Sequence, residues 1–152
     1  MSMGPIEVRR VRASDHAEWR RMRTALWPRE QSEHDDEIEA YLSAAEDAGA
    51  VVLVAARAGG GLAGFVELRL RDFAEGCTSS PVAYVEGWWV DDDARRQGVG
   101  EALMMAAEDW ARRRGIRELA SDCDFDNDVS LSAHLALGFT EAERVICLRK
   151  DL

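Results

Sequence analysis

The chain has 152 residues, the size of one domain spanning 1–152, and 47% of them are hydrophobic, which suffices for a packed core. Its 19 Lys and Arg against 29 Asp and Glu give a net charge of −10. This charge argues against nucleic acid or an anionic membrane as partner, since both require clustered cations. Three cysteines without CxxC spacing argue against a disulfide framework or a zinc site, and no metal is expected. The N-terminus lacks an apolar signal core, so we expect a cytoplasmic protein.

Hydrophobic periodicity predicts ten elements in the order β-α-α-β-β-β-α-β-α-β, a mixed α/β sheet flanked by helices. The predicted elements are a strand at 6–12, helices at 14–26 and 35–46, a hairpin of strands at 50–57 and 62–70, a strand at 82–90, a helix at 100–114, a strand at 116–123, a helix at 128–137 and a strand at 143–150. Within the strand at 82–90, simple alternation places Tyr84, Glu86 and Trp88 on one face.

The most distinctive pattern is WWVDDDARRQGVG at 88–100, directly before an amphipathic helix. Gly98 and Gly100 allow close approach of a ligand to the backbone, and successive N–H groups at the helix start form an anion cradle. Arg95 and Arg96 add positive charge to an otherwise acidic chain. A pyrophosphate fits this element, whereas neither GxxxxGK(S/T) nor GxGxxG is present. The alternative is a turn with two solvated arginines, but the complete strand–loop–helix order favours an anion site.

The RRQGVG segment resembles the Q/R-x-x-G-x-G/A signature of the GNAT N-acetyltransferases, and the element order is similar to theirs over almost the whole chain. The resemblance implies the GNAT fold, with acetyl-CoA as co-substrate and its pantetheine arm between two splayed parallel strands, here 82–90 and 116–123. It implies cofactor contacts from residues of the strand, the loop and two helix starts: Trp88, Trp89, Val90, Arg95, Arg96, Gln97, Gly98, Val99, Gly100, Glu101 and Asn127. Backbone N–H groups around Trp89 and Val90 are expected to bind the thioester oxygen.

Six further stretches resemble the aminoglycoside 6'-N-acetyltransferases of the chromosomal, dimeric type. They are LWP at 26–28, GCTSSP at 76–81, VEGWWV at 85–90, ASD at 120–122, AHLALGF at 133–139 and ERVICLRK at 143–150. The resemblance implies direct acetyl transfer from acetyl-CoA to the 6'-amine of aminoglycoside antibiotics in a ternary complex, an antibiotic-resistance activity. The implied partners are an aminoglycoside or another cationic amine and a second copy of the chain in a homodimer.

Two carboxylates are candidates for the acceptor side of such a site. Glu86 lies inside a hydrophobic strand, where a carboxylate requires a partner. It is expected to bind the ammonium or accept its proton, and a structural ion pair is the alternative. Asp122 ends the next strand, near the edge where ligands gather in open α/β sheets. In the resembling enzymes an aspartate at this place contacts the aminoglycoside amines.

The same resemblance suggests three further acceptor-binding residues. Glu143 matches a carboxylate that serves the other half of a dimeric site. Trp27 and Phe73 are candidates for ring stacking on sugars, although each fits a core role equally well. The tract Ser121–Asp128 superficially suggests calcium, but Asn127 stands where an EF-hand requires glycine and Ala133 where it requires glutamate.

His134 lies where many GNAT enzymes place a tyrosine that protonates the leaving thiolate. The only tyrosines, Tyr41 and Tyr84, are elsewhere in the sequence. A histidine can donate a proton, so His134 joins Glu86 and Asp122 as a candidate catalytic residue. A structural role in the helix is the alternative.

Two other functions remain open at this point. One is acetyl transfer to a different amine, such as a polyamine or a peptide N-terminus, and the other is a non-catalytic acetyl-CoA-binding regulatory module. The GCTSSP and ERVICLRK stretches favour aminoglycosides, and the presence of both Glu86 and Asp122 speaks against a non-catalytic module. A polycationic acceptor also fits the acidic balance of the chain.

Overall fold

A mixed five-stranded sheet organises the described residues, 4–46 and 48–152, of this computed structural model. The strands are β1 (Ile6–Arg10), β2 (Ala50–Arg57), β3 (Leu62–Arg71), β4 (Val82–Val90) and β5 (Leu119–Ser121). The α-helices are α1 (His16–Leu26), α2 (Gln31–Ser43), α3 (Val99–Arg113) and α4 (Asp128–Ala136), with 3₁₀ turns at Ala13–Asp15 and Asp92–Ala94. The strand order is β1-β2-β3-β4-β5, antiparallel except for the parallel β4–β5 pair. This confirms the predicted mixed α/β sheet with a β2–β3 hairpin and parallel strands β4 and β5.

Helices cover both faces of the sheet, which explains why β2 is almost continuously apolar rather than alternating. On one face, Trp19 and Met22 of α1 and Ile38 of α2 pack against Phe65 of β3. On the other face, α3 inserts buried side chains that include Leu103, Met104, Ala107 and Trp110. The two cores hold β3 and β4 rigidly, and the end of β4 leads directly into the loop before α3.

A β-bulge at Glu86 is the main irregularity of β4. Leu68 pairs with Val85 and Glu67 pairs with Gly87, so Glu86 is one extra residue that has no pairing partner on β3. Such an extra residue inverts the face of every residue that follows it. Trp88 therefore packs with Val85 against the α3 core instead of sharing the face of Tyr84. The simple alternation predicted for this strand is wrong beyond Glu86 for this reason.

The bulge also limits β5. The predicted strand at 116–123 is reduced to Leu119–Ser121, which pairs with Ala83–Val85 and ends where the bulge begins. Beyond Val85 the two parallel strands are no longer paired, because a bulge bends its strand and interrupts the ladder of hydrogen bonds. The predicted splayed pair is thereby confirmed, with a shorter contact than the sequence suggested.

The C-terminal strand predicted at 143–150 is wrong for the single chain. Residues 140–152 lie in no helix or strand, and Ile146 and Leu148 are 87% and 90% exposed. Periodic apolar residues favour an extended backbone, but a strand also requires a neighbouring edge with free hydrogen-bonding groups. This segment instead runs past the loop after β3, where Ala142 lies against Gly76.

A buried charged cluster joins α1 and α2 to β3. The Arg23 guanidinium donates to Glu67 Oε1 at 2.5 Å, to Glu37 Oε2 and to His34 Nδ1 at 3.2 Å. Trp19 Nε1 also donates to Glu67 Oε1, at 2.9 Å. Burial raises the pKa of Glu67, and the charge of Arg23 opposes that rise. α2 begins at Gln31, earlier than the predicted residue 35, and its first turn carries the buried His34 that accepts from Arg23.

Candidate active site

The loop before α3 has the geometry of an anion cradle. Gly98, the residue that precedes α3, has a left-handed backbone with φ of +81°, and Arg96 has φ of +61°. A Cβ at Gly98 would meet no atom within 4 Å, so the space in front of the loop is open. The N–H groups at 99–101 form the first turn of α3 and have no intrahelical acceptor. Backbone N–H groups and the positive end of α3 therefore converge on one open surface.

The two loop arginines have different environments. Arg95 stacks on Trp89 at 4.9 Å, donates from Nε to the Val90 carbonyl at 2.9 Å and pairs with Asp92 at 3.1 Å. Arg95 thus stabilises the end of β4, whereas Arg96 is exposed at the tip of the loop. Arg96 is consequently the better placed of the two for a phosphate contact.

Asp91 anchors the junction between β4 and this loop, a role that sequence reasoning missed. It accepts hydrogen bonds from Arg21 at 3.1 and 2.9 Å, from Arg57 at 3.3 Å and from Trp89 Nε1 at 3.0 Å. Burial acts to raise the pKa of Asp91, but these hydrogen bonds outweigh it and the net pKa is lowered. In the sequence Asp91 is only the first of three consecutive aspartates, so nothing distinguished it from its solvated neighbours.

Beyond its last pair with β5, β4 continues through residues 86–90 toward the cradle, and we call the unpaired edge of this stretch the channel. Asp91 N–H donates to the Ala63 carbonyl on β3 at 2.8 Å, so alternation directs the N–H of Val90 to the opposite edge, toward β5. Trp88 Nε1 is buried and has no hydrogen-bond partner in the described part of the chain. A Cβ at Gly100 would lie 3.1 Å from Trp88 Cζ2, so glycine permits the close packing of α3 on β4. An open cradle, a free strand edge and an unpaired buried donor together fit acetyl-CoA.

Four side chains form a connected acceptor cluster around the bulge: Arg71, Tyr84, Glu86 and Asp122. Arg71 donates from Nε to Glu86 Oε1 at 2.9 Å and from Nη2 to Oε2 at 2.7 Å. Its guanidinium carbon lies 3.6 Å from the centroid of the Tyr84 ring. Tyr84 in turn donates its hydroxyl proton to Asp122 Oδ2 at 2.5 Å. The structure thus connects the two predicted carboxylates through Arg71 and Tyr84 rather than directly.

Sequence reasoning assigned no role to Arg71 or Tyr84. Burial and the hydrogen bond to Asp122 raise the pKa of the Tyr84 phenol, so its hydroxyl keeps its proton and remains a donor. The hydrogen bonds to Glu86 raise the pKa of Arg71. The sequence did contain one signal for a residue such as Arg71. Glu86 lies within an apolar strand, where a carboxylate requires a partner, and a cation on a neighbouring strand can provide it.

Asp122 and Glu143 line one open cleft of about 810 Å³, together with His134. The cleft lies between β5, the loop at 72–81 and the C-terminal segment at 140–147. Glu143 is exposed, and the structure brings it together with Asp122 as part of the lining of this cleft.

The two predicted stacking rings lie on different parts of the acceptor side. A Cβ at Gly87 would lie 2.3 Å from Trp27 Cη2, so the Trp27 ring rests on β4 one residue from Glu86. Trp27 also packs edge-on to Phe65 at 6.3 Å, which gives it a core role as well. Phe73 is 67% exposed in the loop after β3. Their contacts with sugars stay predictions.

His134 is buried and both of its ring nitrogens are engaged. Nδ1 lies 2.7 Å from the Ser130 carbonyl oxygen, which requires a proton on Nδ1, and Nε2 accepts from the Ser121 hydroxyl at 2.8 Å. An acid role would require the imidazolium form. Its second proton, on Nε2, would then point to the Ser121 hydroxyl rather than into the open cleft. The catalytic role of His134 stays a prediction.

Asn127 and the start of α4 also have a local structural role. Asn127 Oδ1 accepts a hydrogen bond from Ser130 N–H at 3.0 Å and so caps α4. Gln97 donates from Nε2 to the Asp93 carbonyl at 2.9 Å, and Glu101 is exposed in the first turn of α3. The contacts of these three residues with CoA stay predictions.

In residues 4–46 and 48–152, no group of three or more His, Cys, Asp or Glu side chains is arranged to hold a metal ion. Within the same residues, no helix is both long enough and apolar enough to cross a membrane.

Comparisons with known proteins agree with this geometry. The acetyltransferase (GNAT) family model matches residues 16–139. An aminoglycoside N(6')-acetyltransferase type 1 of Klebsiella aerogenes is 50% identical over 153 residues, with 100% of both chains covered. The solved structure of AAC(6')-Iy with a bisubstrate analogue, CoA-S-monomethyl-acetylneamine, has a TM-score of 0.90 and 34% identity, covering 98% of this chain and 100% of that one. AAC(6')-Ih from Acinetobacter baumannii has a TM-score of 0.90 and 30% identity, covering 97% and 99%. The chain therefore belongs to the GNAT acetyltransferase family and, within it, to the aminoglycoside N(6')-acetyltransferases.

Proposed function

We propose that this chain acetylates the 6'-amine of aminoglycosides by direct transfer from acetyl-CoA in a ternary complex. The observation that carries the proposal is the full-length, 50% identical relative named for this activity. The acceptor cluster supports it, because two carboxylates close to the channel suit a cationic amine. Polyamine or peptide acetylation would use the same channel, and neither has a relative of comparable identity among the proteins compared above.

The cradle, the edge of β4 and the acceptor cluster have separate roles in the proposed reaction. When bound, acetyl-CoA supplies an activated acyl thioester. The N–H groups at 96–101 bind its pyrophosphate, and Val90 N–H donates to the oxygen that becomes negatively charged during attack. Glu86 accepts a proton from the acceptor ammonium, since only the free amine is a nucleophile. The amine nitrogen then bonds to the acetyl carbon while the C–S bond breaks, and CoA leaves as its thiolate. Asp122 holds a second ammonium while Tyr84 orients its carboxylate. Positioning of the two substrates supplies much of the rate.

The position of the acetyl group tests the proposed function. Kanamycin carries a 6'-amine and paromomycin has a hydroxyl there, so kanamycin should be acetylated at the 6'-nitrogen and paromomycin should not react at that position. Thiol release and NMR of the products measure both. Acetyl on a ring nitrogen of kanamycin would contradict the 6' assignment, and faster turnover of spermidine would favour a polyamine acetyltransferase.

The two carboxylates should respond differently to nearly isosteric substitution. Glu86→Gln should lower kcat by about a hundredfold, the lower range for loss of a general base, with a larger deficit at low pH where less free amine exists. Asp122→Asn should mainly raise KM for kanamycin, since it removes uniform binding. Steady-state kinetics from about pH 6 to about pH 9 measure both effects, with thermal unfolding as the control. If both variants kept kcat and changed KM equally, Glu86 would not be the base.

We further propose that residues 1–152 act as one acetyltransferase domain and that the enzyme works in the cytoplasm, where acetyl-CoA is available. We also propose that two copies of the chain form a homodimer. Support for the dimer comes from the exposed apolar segment at 140–152 and from the outer edge of β5, which has no strand partner in the described residues. In a symmetric dimer, the segment at 140–152 of one copy can lie along the outer edge of β5 of the other copy, and the reverse contact is equivalent. Glu143 would then line an acceptor site that both copies complete.

Replacing Leu148 tests the dimer. Leu148→Glu should separate the copies, because each would lose about 1.5–3 kcal/mol of side-chain burial and the dissociation constant should rise at least about a hundredfold. Met105→Glu is the matched control, since Met105 is also an exposed apolar residue but lies on α3. Sedimentation gives the mass of each variant. A wild-type monomer, or equal effects of the two substitutions, would contradict this interface.

A further inference from the structure

Arg71 lies where a cationic acceptor is expected to bind. Both carboxylate oxygens of Glu86 are occupied by the Arg71 guanidinium, at 2.9 and 2.7 Å. The same guanidinium covers the ring of Tyr84, whose hydroxyl binds Asp122. The free protein thus already holds one positive charge within the cluster that contains both candidate carboxylates.

We propose that Arg71 is an internal counter-cation that the acceptor must displace, and that net affinity for the acceptor therefore comes from its further ammonium groups. The inference rests on the proposed function, since it concerns the acceptor subsite of that reaction. An acceptor with one ammonium replaces one cation by another and gains little. An acceptor with several replaces the guanidinium at Glu86 and adds pairs with further carboxylates of the cleft, such as Asp122.

The exposure of the pair makes this displacement feasible. The side chains of Arg71 and Glu86 are 41% and 28% exposed, whereas the Arg23 side chain in the buried cluster is only 5% exposed. Ion pairs in contact with water contribute little to stability, because solvent competes for both partners. Arg71 is also the last residue of β3, so its side chain can swing into the open cleft without disturbing the sheet.

A displaced cation and a positioning cation predict opposite changes on removal. If Arg71 only oriented Glu86, its loss would lower kcat and leave the acceptor's KM largely unchanged. If Arg71 competes with the acceptor, its loss lowers KM by a similar factor for every acceptor that pairs with Glu86, because each of them must displace the same guanidinium. The direction of the change in KM, a fall or no change, therefore distinguishes the two roles.

The experiment compares Arg71→Gln with Arg113→Gln, which removes the same charge from an exposed position at the far end of α3. The acceptors are kanamycin and 6-amino-6-deoxyglucose, which carries one ammonium on the same kind of CH₂ arm. Calorimetric titration of each acceptor into the CoA-bound protein gives affinities without turnover.

Arg71→Gln should tighten binding of both acceptors by about fivefold, the upper range for an exposed ion pair, with matching falls in KM, while Arg113→Gln should change neither. Weaker binding, unchanged affinity, or a fall in kcat alone would overturn the inference. Wild-type protein that failed to acetylate kanamycin would instead overturn the proposed function, so the two failures are distinguishable.

Discussion

Gly98→Asp should abolish acetyl-CoA binding while the protein remains folded. The new carboxylate would lie in the open space before α3, where the pyrophosphate is expected. Two like charges about 4 Å apart repel by about 4 kcal/mol at an effective dielectric constant of about 20, which corresponds to roughly a thousandfold loss of affinity. The fold should persist because a Cβ at this position meets no atom within 4 Å. Calorimetric titration with acetyl-CoA measures the loss.

Gly98→Asn is the matched control for that experiment. Asn and Asp have the same shape, and both tolerate the left-handed backbone of Gly98 better than other side chains do. Backbone strain should therefore be shared by the two variants, and the difference in affinity between them isolates the charge. Equal affinities for Gly98→Asp and Gly98→Asn would mean that no anion binds at this loop.

Arg23→Met should destabilise the protein by about 3–5 kcal/mol, since it leaves the Glu67 carboxylate buried without its cation. The effect should also reach the acceptor site, because the Arg23 guanidinium stacks at 5.0 Å on Trp27, the ring that rests on Gly87. We expect a lower midpoint in urea and a higher KM for kanamycin. Chemical unfolding and steady-state kinetics measure the two effects.

The double variant Arg23→Met with Glu67→Gln should recover much of that stability, because no buried charge remains. In the single variant, burial raises the pKa of Glu67 above the value of about 4.5 that it has in the unfolded chain. The folded state then binds more protons than the unfolded state between these two pKa values, so stability should fall as the pH rises through that window. A deficit that was independent of pH and equal in both variants would show that lost packing, rather than the uncompensated charge, causes the destabilisation.

The elements that position the CoA side could be predicted because their signals are local. The strand at 82–90 is marked by β-branched and aromatic residues, and Gly98 and Gly100 mark the loop before α3. The parallel pairing of β4 with β5 was implied by the family resemblance, and the intervening helix provides the crossover that parallel strands require.

The acceptor side was less predictable because it depends on pairing between distant residues. Arg71 and Glu86 meet only through the register of β3 on β4, and no residue type marks the bulge that sets this register. The buried position of Arg23 depends in the same way on Glu67, 44 residues away. The segment at 143–150 has the pattern of a strand, but a single sequence does not reveal whether a partner edge exists.

The bulge at Glu86 has a consequence for how substrate range can evolve in this enzyme. The extra residue is a property of the backbone, so the course of β4 and the direction of the Val90 N–H do not depend on the side chain at position 86. Substitution at position 86 can therefore change which acceptors bind, while the backbone groups that bind acetyl-CoA keep their positions. Loss or gain of one residue in β4 is different, because it would reverse the facing of Gly87–Val90 and damage donor and acceptor binding together. New specificities should therefore arise in this strand by substitution, and its length should be under the stronger constraint.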